Sequence, residues 1–481
     1  VSFYPHFRRT PPKRVTLAVC RDMSCWLAGG ESCTARLKTL AAGDVEVKEV
    51  SCIGRCDHGP AGLLNDQPIE LKDEAIVAAW VRHPETIQPI TFPPPRKWVC
   101  DPHASPAEWY STTRSNLEPD RVIAELKASG LRGMGGAGFP AGTKGEAVRK
   151  ESRTPKYLIC NADESEPGTF KDALVLRDLS HLVIEGMIIA GRGVGATRGI
   201  VFLRHEYEAE KHALDTAIAD ARSRGVLPAD GFDIEVFVSP GGYILGEETA
   251  LLECLEDKRG EPRNKPPFPV SHGLYGQPTL INNVETFANG PGIVKNGGAW
   301  WSALGTPGCP GPKFFAVSGH VEKPGVYQVP LGTTARELIA LAGGVSGGRK
   351  LLAFAPGGAS SNLLPADQVD VKLSFNDLAK AGSMLGSGAL VVAAEGTDLL
   401  ALGTNVVKFF RNESCGKCVP CRVGSEKAVA VLEDVLSGRQ PRTALDILPD
   451  LGETLALTSI CGLGQVAVNP ALSVLKLLPG L

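Results

Sequence analysis

A group of cysteines near the carboxyl end constrains this chain more than any other feature. In ESCGKCVPCRVG, Cys415, Cys418 and Cys421 are separated from one another by two residues, and Cys461 follows after an intervening segment. Three thiols at that spacing, with a fourth from elsewhere in the chain, suit a 4Fe-4S cube, because each iron corner needs one sulfur ligand. A zinc site with four cysteines more often uses two C-x2-C pairs, so zinc is the less favoured alternative. The chain from residue 399 onward has a helical pattern, which predicts a helical metal-binding domain.

A second group of cysteines lies near the amino end. Cys20-x4-Cys25 and Cys52-x3-Cys56 form two close pairs beside the ends of predicted β-strands. Four thiolates at such loop positions suit an iron–sulfur cluster. Zinc is the rival metal, and cysteines scattered in a hydrophobic core are the remaining alternative. Cys33 lies between the two pairs and is the odd one out in this pattern.

The chain contains 13 cysteines, which bear on its compartment. The first residues, VSFYPHFRRTPPKR, lack the hydrophobic segment of a signal peptide, and no apolar run reaches the length of a membrane span. We therefore expect a cytoplasmic protein, in which cysteines are metal ligands or free thiols because disulfides do not persist there. A net charge of −3 gives no basic excess, which argues against nucleic acid as a partner.

Residues 130–144, GLRGMGGAGFPAGTK, form a loop crowded with glycine. Bare backbone N–H groups in such a loop can approach an anion, and Lys144 at its end adds a positive charge, so the loop suits a phosphate. The candidate glycines are Gly133, Gly135, Gly136 and Gly138. The dinucleotide pattern G-x-G-x-x-G is also met, but the loop precedes the apolar strand at 157–160 instead of following one. Taken alone, a glycine turn without a ligand is an equal alternative.

Strands and helices alternate through the middle of the chain. Strand patterns at 157–160, 199–203 and 233–238 are separated by helical patterns, which predicts a largely parallel sheet. After the last of these strands, GGYILGEETA at 241–250 forms a second glycine-bearing corner of the kind where ligands bind. The two glycine corners could therefore share one ligand. The segment INNVET at 281–286 is predicted to begin another helix.

Changes of pattern divide the chain into four predicted domains. A proline-rich stretch separates the first strand-bearing unit from the central one, and later strand signals with one helix indicate a small β-grasp-like module. The boundaries are 14–90 for the amino-terminal α/β unit, 91–119 for the linker, 120–311 for the parallel-sheet domain, 312–396 for the β-grasp module and 397–481 for the helical domain. The predicted fold class is thus α/β and multidomain.

Six motifs in one order resemble those of a known family. They are GLRGMGGAGFPAGTK, CNADESEPGTF, GGYILGEETAL, NKPPFPVSHGLYGQPTLINNVET, ESCGKCVPCRVG and SICGLGQ. From residue 120 onward the chain resembles the flavin-bearing, NADH-oxidising subunit of complex I and its soluble relatives. Residues 14–90 resemble the thioredoxin-like 2Fe-2S ferredoxin domain. The resemblance implies a Rossmann-like FMN domain, a β-grasp soluble-ligand-binding domain and a helical bundle that holds a 4Fe-4S cluster.

The resemblance also assigns ligands to individual residues. The glycine loop with Lys144 would hold the FMN phosphate. The rest of the flavin pocket would consist of Asn161, Asp163, Glu164, Tyr243, Gly246, Glu247, Asn282, Asn283 and Thr286. The family's NAD contacts match Phe139, Glu166, Glu248, Lys265 and Phe268. After Lys144 the family usually has aromatic residues where this chain has Gly145, Glu146 and Ala147, which predicts a more open pocket on that side.

The expected chemistry follows from these cofactors. A flavin accepts two electrons from a nicotinamide and releases them singly, after which clusters carry them away. An aromatic ring at Phe139 or Phe268 can stack on adenine, and a carboxylate at Glu166 or Glu248 would repel a 2′-phosphate, which favours NAD over NADP. We expect no acid or base catalyst, because hydride transfer to a flavin is governed by stacking and distance. Taken singly, each of these residues could equally be a solvated turn, a helix cap or part of the core.

The order of domains bears on the partner. The chain has a ferredoxin-like domain fused ahead of the flavin domain, and no additional cluster-bearing tail follows the 4Fe-4S domain. This arrangement most resembles the β subunit of soluble, NAD-linked formate dehydrogenases. Its expected partner is an iron–sulfur α subunit that carries molybdenum or tungsten. The alternatives are the diaphorase subunit of NAD-reducing hydrogenase, a complex I subunit, and a non-catalytic electron-transfer subunit that has lost nucleotide binding.

Overall fold

The computed structural model describes residues 3–478, apart from residues 9, 42, 115–117, 229 and 230. Within these residues the strands form three sheets, and a group of helices follows the last sheet. This arrangement confirms the predicted α/β multidomain class. Among the described helices, none combines the length and the apolar character that crossing a lipid bilayer requires.

The amino-terminal sheet places the ends of two parallel strands side by side. Its order is β2-β1-β3-β4, with β1 and β2 parallel and the other neighbours antiparallel. Its strands are β1 (Val15–Cys20), β2 (Val45–Val50), β3 (Ala61–Leu64) and β4 (Gln67–Glu70), and its helices are α1 (Met23–Leu27), α2 (Gly30–Leu37) and α3 (Glu74–Arg82). Cys20, the last residue of β1, therefore lies beside the segment that follows β2 and carries Cys52.

The central sheet is entirely parallel, in the order β7-β6-β5-β8. Its strands are β5 (Tyr157–Ala162), β6 (Arg198–Leu203), β7 (Asp233–Val238) and β8 (Thr279–Asn283). The helices of this region are α4 (Ser111–Arg114), α5 (Pro119–Ser129), α6 (Ala141–Lys150), α7 (Lys171–Asp178), α8 (Ser180–Val194), α9 (Glu208–Ser223), α10 (Glu248–Leu255), α11 (Pro269–His272), α12 (Val284–Asn296) and α13 (Gly298–Ala303). Because the strands are parallel, the loops after β5, β7 and β8 leave from the same edge, where ligands of such sheets bind.

Helix α8 is buried along almost its whole length and is the packing centre of this region. It packs against α12, and Gly186 lets the two backbones approach, since a Cβ there would lie 1.9 Å from the carbonyl oxygen of Phe287. A helix that is apolar on all sides is stable only inside a protein. Its sequence, SHLVIEGMIIAGRGV, therefore accounts for its central position.

The segment at 281–286 corrects one prediction. We expected it to begin a helix, but Thr279–Asn283 forms β8, and α12 begins only at Val284. The strand pairs with β5 along its whole length, so tertiary pairing overrides the local pattern. The Asn283 side chain then caps α12 by accepting a hydrogen bond from the Glu285 N–H at 3.0 Å.

The third sheet has the order β10-β9-β13-β11-β12, in which β9 and β13 are parallel and the other neighbours antiparallel. Its strands are β9 (Pro312–Gly319), β10 (Gly325–Pro330), β11 (Leu351–Ala355), β12 (Leu364–Pro365) and β13 (Ala389–Ala394), and its helices are α14 (Ala335–Leu341) and α15 (Phe375–Lys380). Helix α14 begins with a capping box formed by Thr334 and Glu337. The strands and the helix predicted for the β-grasp module are present, and the two-residue strand β12 adds to them.

The segment after the third sheet is helical, as predicted. Its helices are α16 (Leu399–Asn412), α17 (Val419–Leu436), α18 (Leu448–Thr458), α19 (Gly462–Val466) and α20 (Asn469–Leu477). Helix α16 buries an apolar face that includes Leu402, Val406 and Phe409, and it packs against α17 and α20. The short helix α19 follows Cys461 directly.

A buried carboxylate joins the central sheet region to the third sheet. Glu285 of α12 lies 2.8 Å from the Lys171 ammonium and 3.0 Å from that of Lys313 in β9, and all three side chains are fully buried. Burial acts to raise the pKa of Glu285, but the two lysines outweigh it and hold that pKa below its ordinary value. Charges at such depth persist only when they are paired. The Lys171–Glu285–Lys313 triad therefore fixes how the two sheets meet.

We expect Glu285→Ala to destabilise the chain strongly, because it leaves two buried ammonium groups without their shared carboxylate. Removal of one partner of a buried ion pair costs about 3–5 kcal/mol. The matched control is Glu235→Ala, which breaks an exposed pair with Arg198, and such pairs contribute little. Thermal unfolding followed by circular dichroism measures both variants. Similar small shifts in melting temperature for the two would contradict the role given to the triad.

Candidate functional site

The amino-terminal cysteines come together as one buried set. Cys20 ends β1, Cys25 lies in α1, and the loop after β2 supplies Cys52 and Cys56. Cys52 Sγ and Cys56 Sγ are 3.5 Å apart. Contacts with Cys20 and Cys56 hold the pKa of Cys52 well below its ordinary value. Cys33 lies outside this set, and its thiol donates a hydrogen bond to the backbone carbonyl of Leu71. Four converging thiols fit a 2Fe-2S cluster.

Buried polar groups surround this first thiol set. Arg204 is buried, and its Nη2 donates to the Cys52 carbonyl at 2.8 Å. The Asp22 carboxylate accepts the Cys52 N–H at 2.7 Å, and the Gly54 N–H lies 3.4 Å from Cys52 Sγ. The Gly54 N–H and the positive charge of Arg204 would stabilise the negative charge of a thiolate-bound cluster. Arg204 also donates to the Glu164 carbonyl, which connects the thiol set to the acidic turn after β5.

The carboxyl-terminal cysteines form the second thiol set. Cys415, Cys418, Cys421 and Cys461 line one small cavity in the helical domain. Cys418 and Cys461 immediately precede α17 and α19, so both lie at helix N-termini, where negative charge is favoured. Burial raises the pKa of Cys421 to about 11 and that of Cys461 to about 12. Four sulfur atoms around one void fit a 4Fe-4S cube.

The glycine loop connects α5 to α6 and lies against the end of β8. The Gly133 N–H donates a hydrogen bond to the Phe139 carbonyl at 2.8 Å, which closes the loop on itself. Gly136 and Gly138 have φ values of 125° and 63°, a region that favours glycine. Gly135 packs closely on Asn283, since a Cβ there would lie 3.0 Å from the Asn283 Cβ. The loop thus presents backbone at the edge where the parallel strands end.

A charge network joins the glycine loop to the second glycine corner. Lys144 of α6 donates to the Ile281 carbonyl at 2.8 Å and pairs with Glu248 at 3.1 Å. Lys265 pairs with Glu247 at 2.8 Å and with Glu248 at 3.6 Å. Burial acts to raise the pKa of Glu248, but Lys144 and Lys265 outweigh it and lower that pKa. The structure therefore brings four of the predicted ligand residues into contact.

The acidic turn after β5 meets the second glycine corner directly. Asn161 Nδ2 donates to the Gly246 carbonyl at 2.8 Å. Burial raises the pKa of Asp163 to about 6 and that of Glu166 to about 7. The Glu164 carboxylate instead accepts two N–H groups at the start of α7, at 2.8 and 3.0 Å. Its side chain therefore caps a helix.

The remaining predicted residues divide between the surface and the interior. The side chains of Phe139 and Phe268 are 54% and 52% exposed, so both rings are accessible for stacking. The Thr286 hydroxyl accepts a hydrogen bond from a glycine-loop N–H at 2.9 Å. Asn282 lies on the opposite face of β8 from Asn283 and lines a mostly apolar cavity beneath α6. The Asn283 side chain therefore packs on the loop at Gly135, whereas Asn282 shares its cavity with Leu131 and Ala141 of the loop segment.

One contributor to the site, Ser360, is not predicted from the sequence. The Ser360 N–H donates to Glu166 Oε1 at 2.8 Å, and its hydroxyl lies 3.4 Å from that of Tyr243. Ser360 belongs to the turn APGGASS after β11, in the third sheet region. The two adjacent glycines of that turn are the only local signal that could have indicated it.

Glu413 is the second contributor that the sequence does not predict. Its Oε2 accepts the Tyr243 N–H at 2.8 Å, and its other oxygen accepts the Ser51 hydroxyl. Ser51 precedes Cys52, and Glu413 lies two residues before Cys415. One carboxylate therefore contacts the segments that carry both thiol sets and the second glycine corner. These contacts join distant parts of the chain, so no local pattern indicates them.

Known families match this chain in four consecutive segments. The matches are the thioredoxin-like [2Fe-2S] ferredoxin at 1–83, the Nuo51 FMN-binding domain at 126–291, the SLBB domain at 314–360 and the NADH-ubiquinone oxidoreductase-F iron-sulfur binding region at 401–479. The four predicted kinds of domain are thereby confirmed. FMN, a 2Fe-2S cluster and a 4Fe-4S cluster are confirmed as the cofactors of these domains.

Individual relatives match over most of their length. An F-type subunit of the NADH-quinone oxidoreductase of Rhizobium meliloti is 44% identical over 365 residues, which are 74% of this chain and 87% of the relative. NADP-reducing hydrogenase subunit HndC of Solidesulfovibrio fructosivorans is 42% identical over 364 residues, or 74% of each chain. A solved chain of NAD+-reducing [NiFe]-hydrogenase in the air-oxidized state superposes with a TM-score of 0.89 at 33% identity, over 99% of this chain and 85% of that one.

We expect Glu413→Ala to loosen the contact between the second glycine corner and the thiol sets. The variant removes the acceptor of the Tyr243 N–H and of the Ser51 hydroxyl, so the backbone at Tyr243 should open more often. Hydrogen bonds to charged groups contribute about 1.5–3 kcal/mol, which predicts exchange of the Tyr243 amide at least about ten times faster in deuterium-exchange measurements. The control is Glu426→Ala, whose contact with Arg411 at 3.7 Å is solvent-facing. Unchanged exchange in Glu413→Ala would contradict this role.

Proposed function

This chain belongs to the family of NADH-quinone oxidoreductase F-type subunits, and from this membership we infer its function. We infer that it is a diaphorase-type subunit that transfers electrons between NAD(H), FMN and iron–sulfur clusters. The structural observation that supports this inference is that Glu413 contacts both Tyr243 of the second glycine corner and Ser51 beside the first thiol set, and lies two residues before Cys415. FMN supplies what side chains lack, since it takes up two electrons as a hydride and releases them singly. The residues of the chain bind, orient and shield it.

We assign the FMN phosphate to the glycine loop. The bare N–H groups around Gly136 and Gly138 can surround an anion, and Lys144 reaches the same edge of the sheet. The ribityl chain and the ring would contact Asn161, Asp163, Glu164, Tyr243, Gly246, Glu247, Asn282, Asn283 and Thr286. The support is that the acidic turn, the second glycine corner and the end of β8 leave the central sheet at one edge.

We assign the nicotinamide nucleotide to the surface above this pocket. The exposed rings of Phe139 and Phe268 would stack on its adenine, and Lys265 would contact its phosphates. Carboxylates at Glu166 and Glu248 would accept from ribose hydroxyls and repel a 2′-phosphate, which favours NAD(H). Hydride transfer then depends on how the two rings are held against each other, without an acid or base from the chain.

We propose that the partner is an iron–sulfur α subunit with molybdenum or tungsten, as in soluble NAD-linked formate dehydrogenases, in the cytoplasm. The support is the domain order, in which a thioredoxin-like ferredoxin segment precedes the FMN, SLBB and iron–sulfur segments in one chain. The match to the hydrogenase chain, over 99% of this chain, favours a nickel–iron hydrogenase partner as the second candidate. Affinity purification of the tagged chain from its native cell, followed by mass spectrometry and metal analysis of the co-purifying protein, distinguishes the two.

We expect Cys415→Ser to remove the iron of the 4Fe-4S cluster, because one corner of the cube loses its sulfur ligand. NADH should still bleach the flavin absorbance, while electron delivery to the partner subunit should fall at least about ten-fold. The matched control is Cys33→Ser, a buried thiol outside both sets, which should keep its iron. Loss of flavin reduction together with iron would show that this cluster is chiefly structural. A folded wild-type chain that lacks flavin, or that NADH does not reduce, would overturn the proposed function.

We expect Glu248→Ala to weaken the preference for NADH over NADPH. The variant removes a carboxylate that would repel the 2′-phosphate and leaves the Lys265 ammonium, which pairs with that carboxylate at 3.6 Å, available to attract the phosphate. The ratio of kcat/KM values for NADH and NADPH, with ferricyanide as acceptor, should fall about ten-fold, which corresponds to about 1.4 kcal/mol. The control is Glu208→Ala, which changes the first residue of another helix, α9. An unchanged ratio in Glu248→Ala would count against this assignment.

A further inference from the structure

Three metal-binding side chains converge at a place outside the thiol sets and the glycine corners. Asp101 and His103 lie in the segment before α4, and His181 lies at the start of α8. One ligand atom from each residue lies within 4.8 Å of the other two. Both imidazole rings are buried, and the Asp101 side chain is 11% exposed.

Asp101 faces a ring nitrogen of each histidine. Its Oδ1 lies 2.9 Å from His103 Nδ1, and its Oδ2 lies 3.4 Å from His181 Nε2. Ligands that surround a cation tetrahedrally at about 2.0 Å are about 3.3 Å from one another. The two carboxylate–imidazole spacings are close to this value, and the ligand atoms of the two imidazoles lie within 4.8 Å of each other.

Several polar atoms at this place are buried without a hydrogen bond. Within the described part of the chain, His103 Nε2, His181 Nε2 and Glu185 Oε2 make no aligned hydrogen bond, although His103 Nε2 and Glu185 Oε2 are 3.1 Å apart. These three side chains are at most 5% exposed. Buried polar atoms are normally satisfied, and a bound ion is one way in which such a group is satisfied.

We propose that Asp101, His103 and His181 form a binding site for a divalent transition cation of the zinc class. Two imidazole nitrogens and one carboxylate suit Zn2+, whereas Ca2+ and Mg2+ prefer sites made of oxygen atoms alone. The site differs in ligand type from the two thiol sets. A zinc ion here would have nitrogen and oxygen ligands, and the iron of the clusters would have sulfur ligands.

Glu185 supports the site from behind His103. With the cation on Nδ1, the neutral His103 ring keeps its proton on Nε2, which faces Glu185 Oε2. The other Glu185 oxygen accepts the Thr112 N–H at 2.9 Å, which holds the carboxylate in place. Two carboxylates and two neutral imidazoles balance the charge of a divalent ion in a buried position.

The cation would fasten the proline-rich linker to the packing centre of the central region. Asp101 and His103 belong to the linker, whereas His181 and Glu185 belong to α8. Trp109, further along the linker, stacks on His181 with ring centroids 4.1 Å apart. Because zinc has no redox chemistry in proteins, its role here would be that of a cross-link and not of an electron carrier.

Metal analysis of the full chain tests this proposal. The protein is produced with added Zn2+, passed over a chelating resin, and analysed by mass spectrometry of its metals and by X-ray absorption at the zinc edge. We expect about one zinc per chain, with nitrogen and oxygen neighbours at about 2.0–2.1 Å. Zinc whose neighbours are sulfur atoms at about 2.3 Å would belong to a cysteine set and would overturn the proposal.

Two variants and a control locate the ion. Asp101→Asn keeps the shape of the site and His181→Ala opens it, and each should lower the zinc content at least about ten-fold while flavin and iron contents stay unchanged. His212→Ala, at an exposed histidine of α9, should keep its zinc. Zinc that persists in both variants would overturn the site. A wild-type chain that contains full flavin and iron but no zinc would also overturn the proposal. In that case the stable arrangement would be a protonated His103 between Asp101 and Glu185.

Discussion

The parallel pairing of β5 with β8 is the constraint on which the ligand-binding edge depends. Its register sets Asn161 opposite Asn283, so the acidic turn and the cap of α12 begin at the same height in the sheet. The glycine loop has no strand of its own at this edge. It is held there by the packing of Gly135 on Asn283 and by the hydrogen bond to the Thr286 hydroxyl. A loop that joins two helices can thus serve the position that a strand-to-helix turn serves in other nucleotide-binding sheets.

Charged side chains lie where the domains meet, and their contacts connect the segments that carry the candidate cofactor sites; Glu285 and Arg204 are buried, and Glu413 is half-buried. Glu285 joins the central and third sheets, Arg204 joins the first thiol set to the acidic turn, and Glu413 joins both thiol sets to the second glycine corner. At low dielectric, separating such partners is far more costly than separating surface pairs. Hydrophobic contact alone would allow sliding, whereas hydrogen-bonded charges allow one arrangement. Single-electron transfer depends on cofactor separation, so this rigidity serves the chemistry.

The sequence predicts those parts of the site that local chemistry determines. Cysteine spacing identifies both thiol sets, and the alternation of strands and helices identifies the parallel sheet, because each is a short-range pattern. Strand β8 is not predicted, because its pairing with β5 overrides the helical pattern of the segment that begins within it. Ser360 and Glu413 escape because their contacts, with Glu166 and Ser51, join residues far apart in the chain. The cluster of Asp101 and His181 escapes for the same reason, since no motif spacing links the linker to α8.

The aromatic side chains predicted to hold the nucleotide are exposed, whereas the thiols predicted to hold the first cluster are buried. A nucleotide must arrive and leave in each turnover, and the two large aromatic side chains predicted to hold it, Phe139 and Phe268, are about half exposed. Clusters remain in place, and the thiols of the first set are all buried. Glu166, Tyr243 and Ser360 form a group of polar contacts contributed by the central and third sheet regions. The third sheet region therefore contributes to the candidate site through Ser360, which contacts both Glu166 and Tyr243.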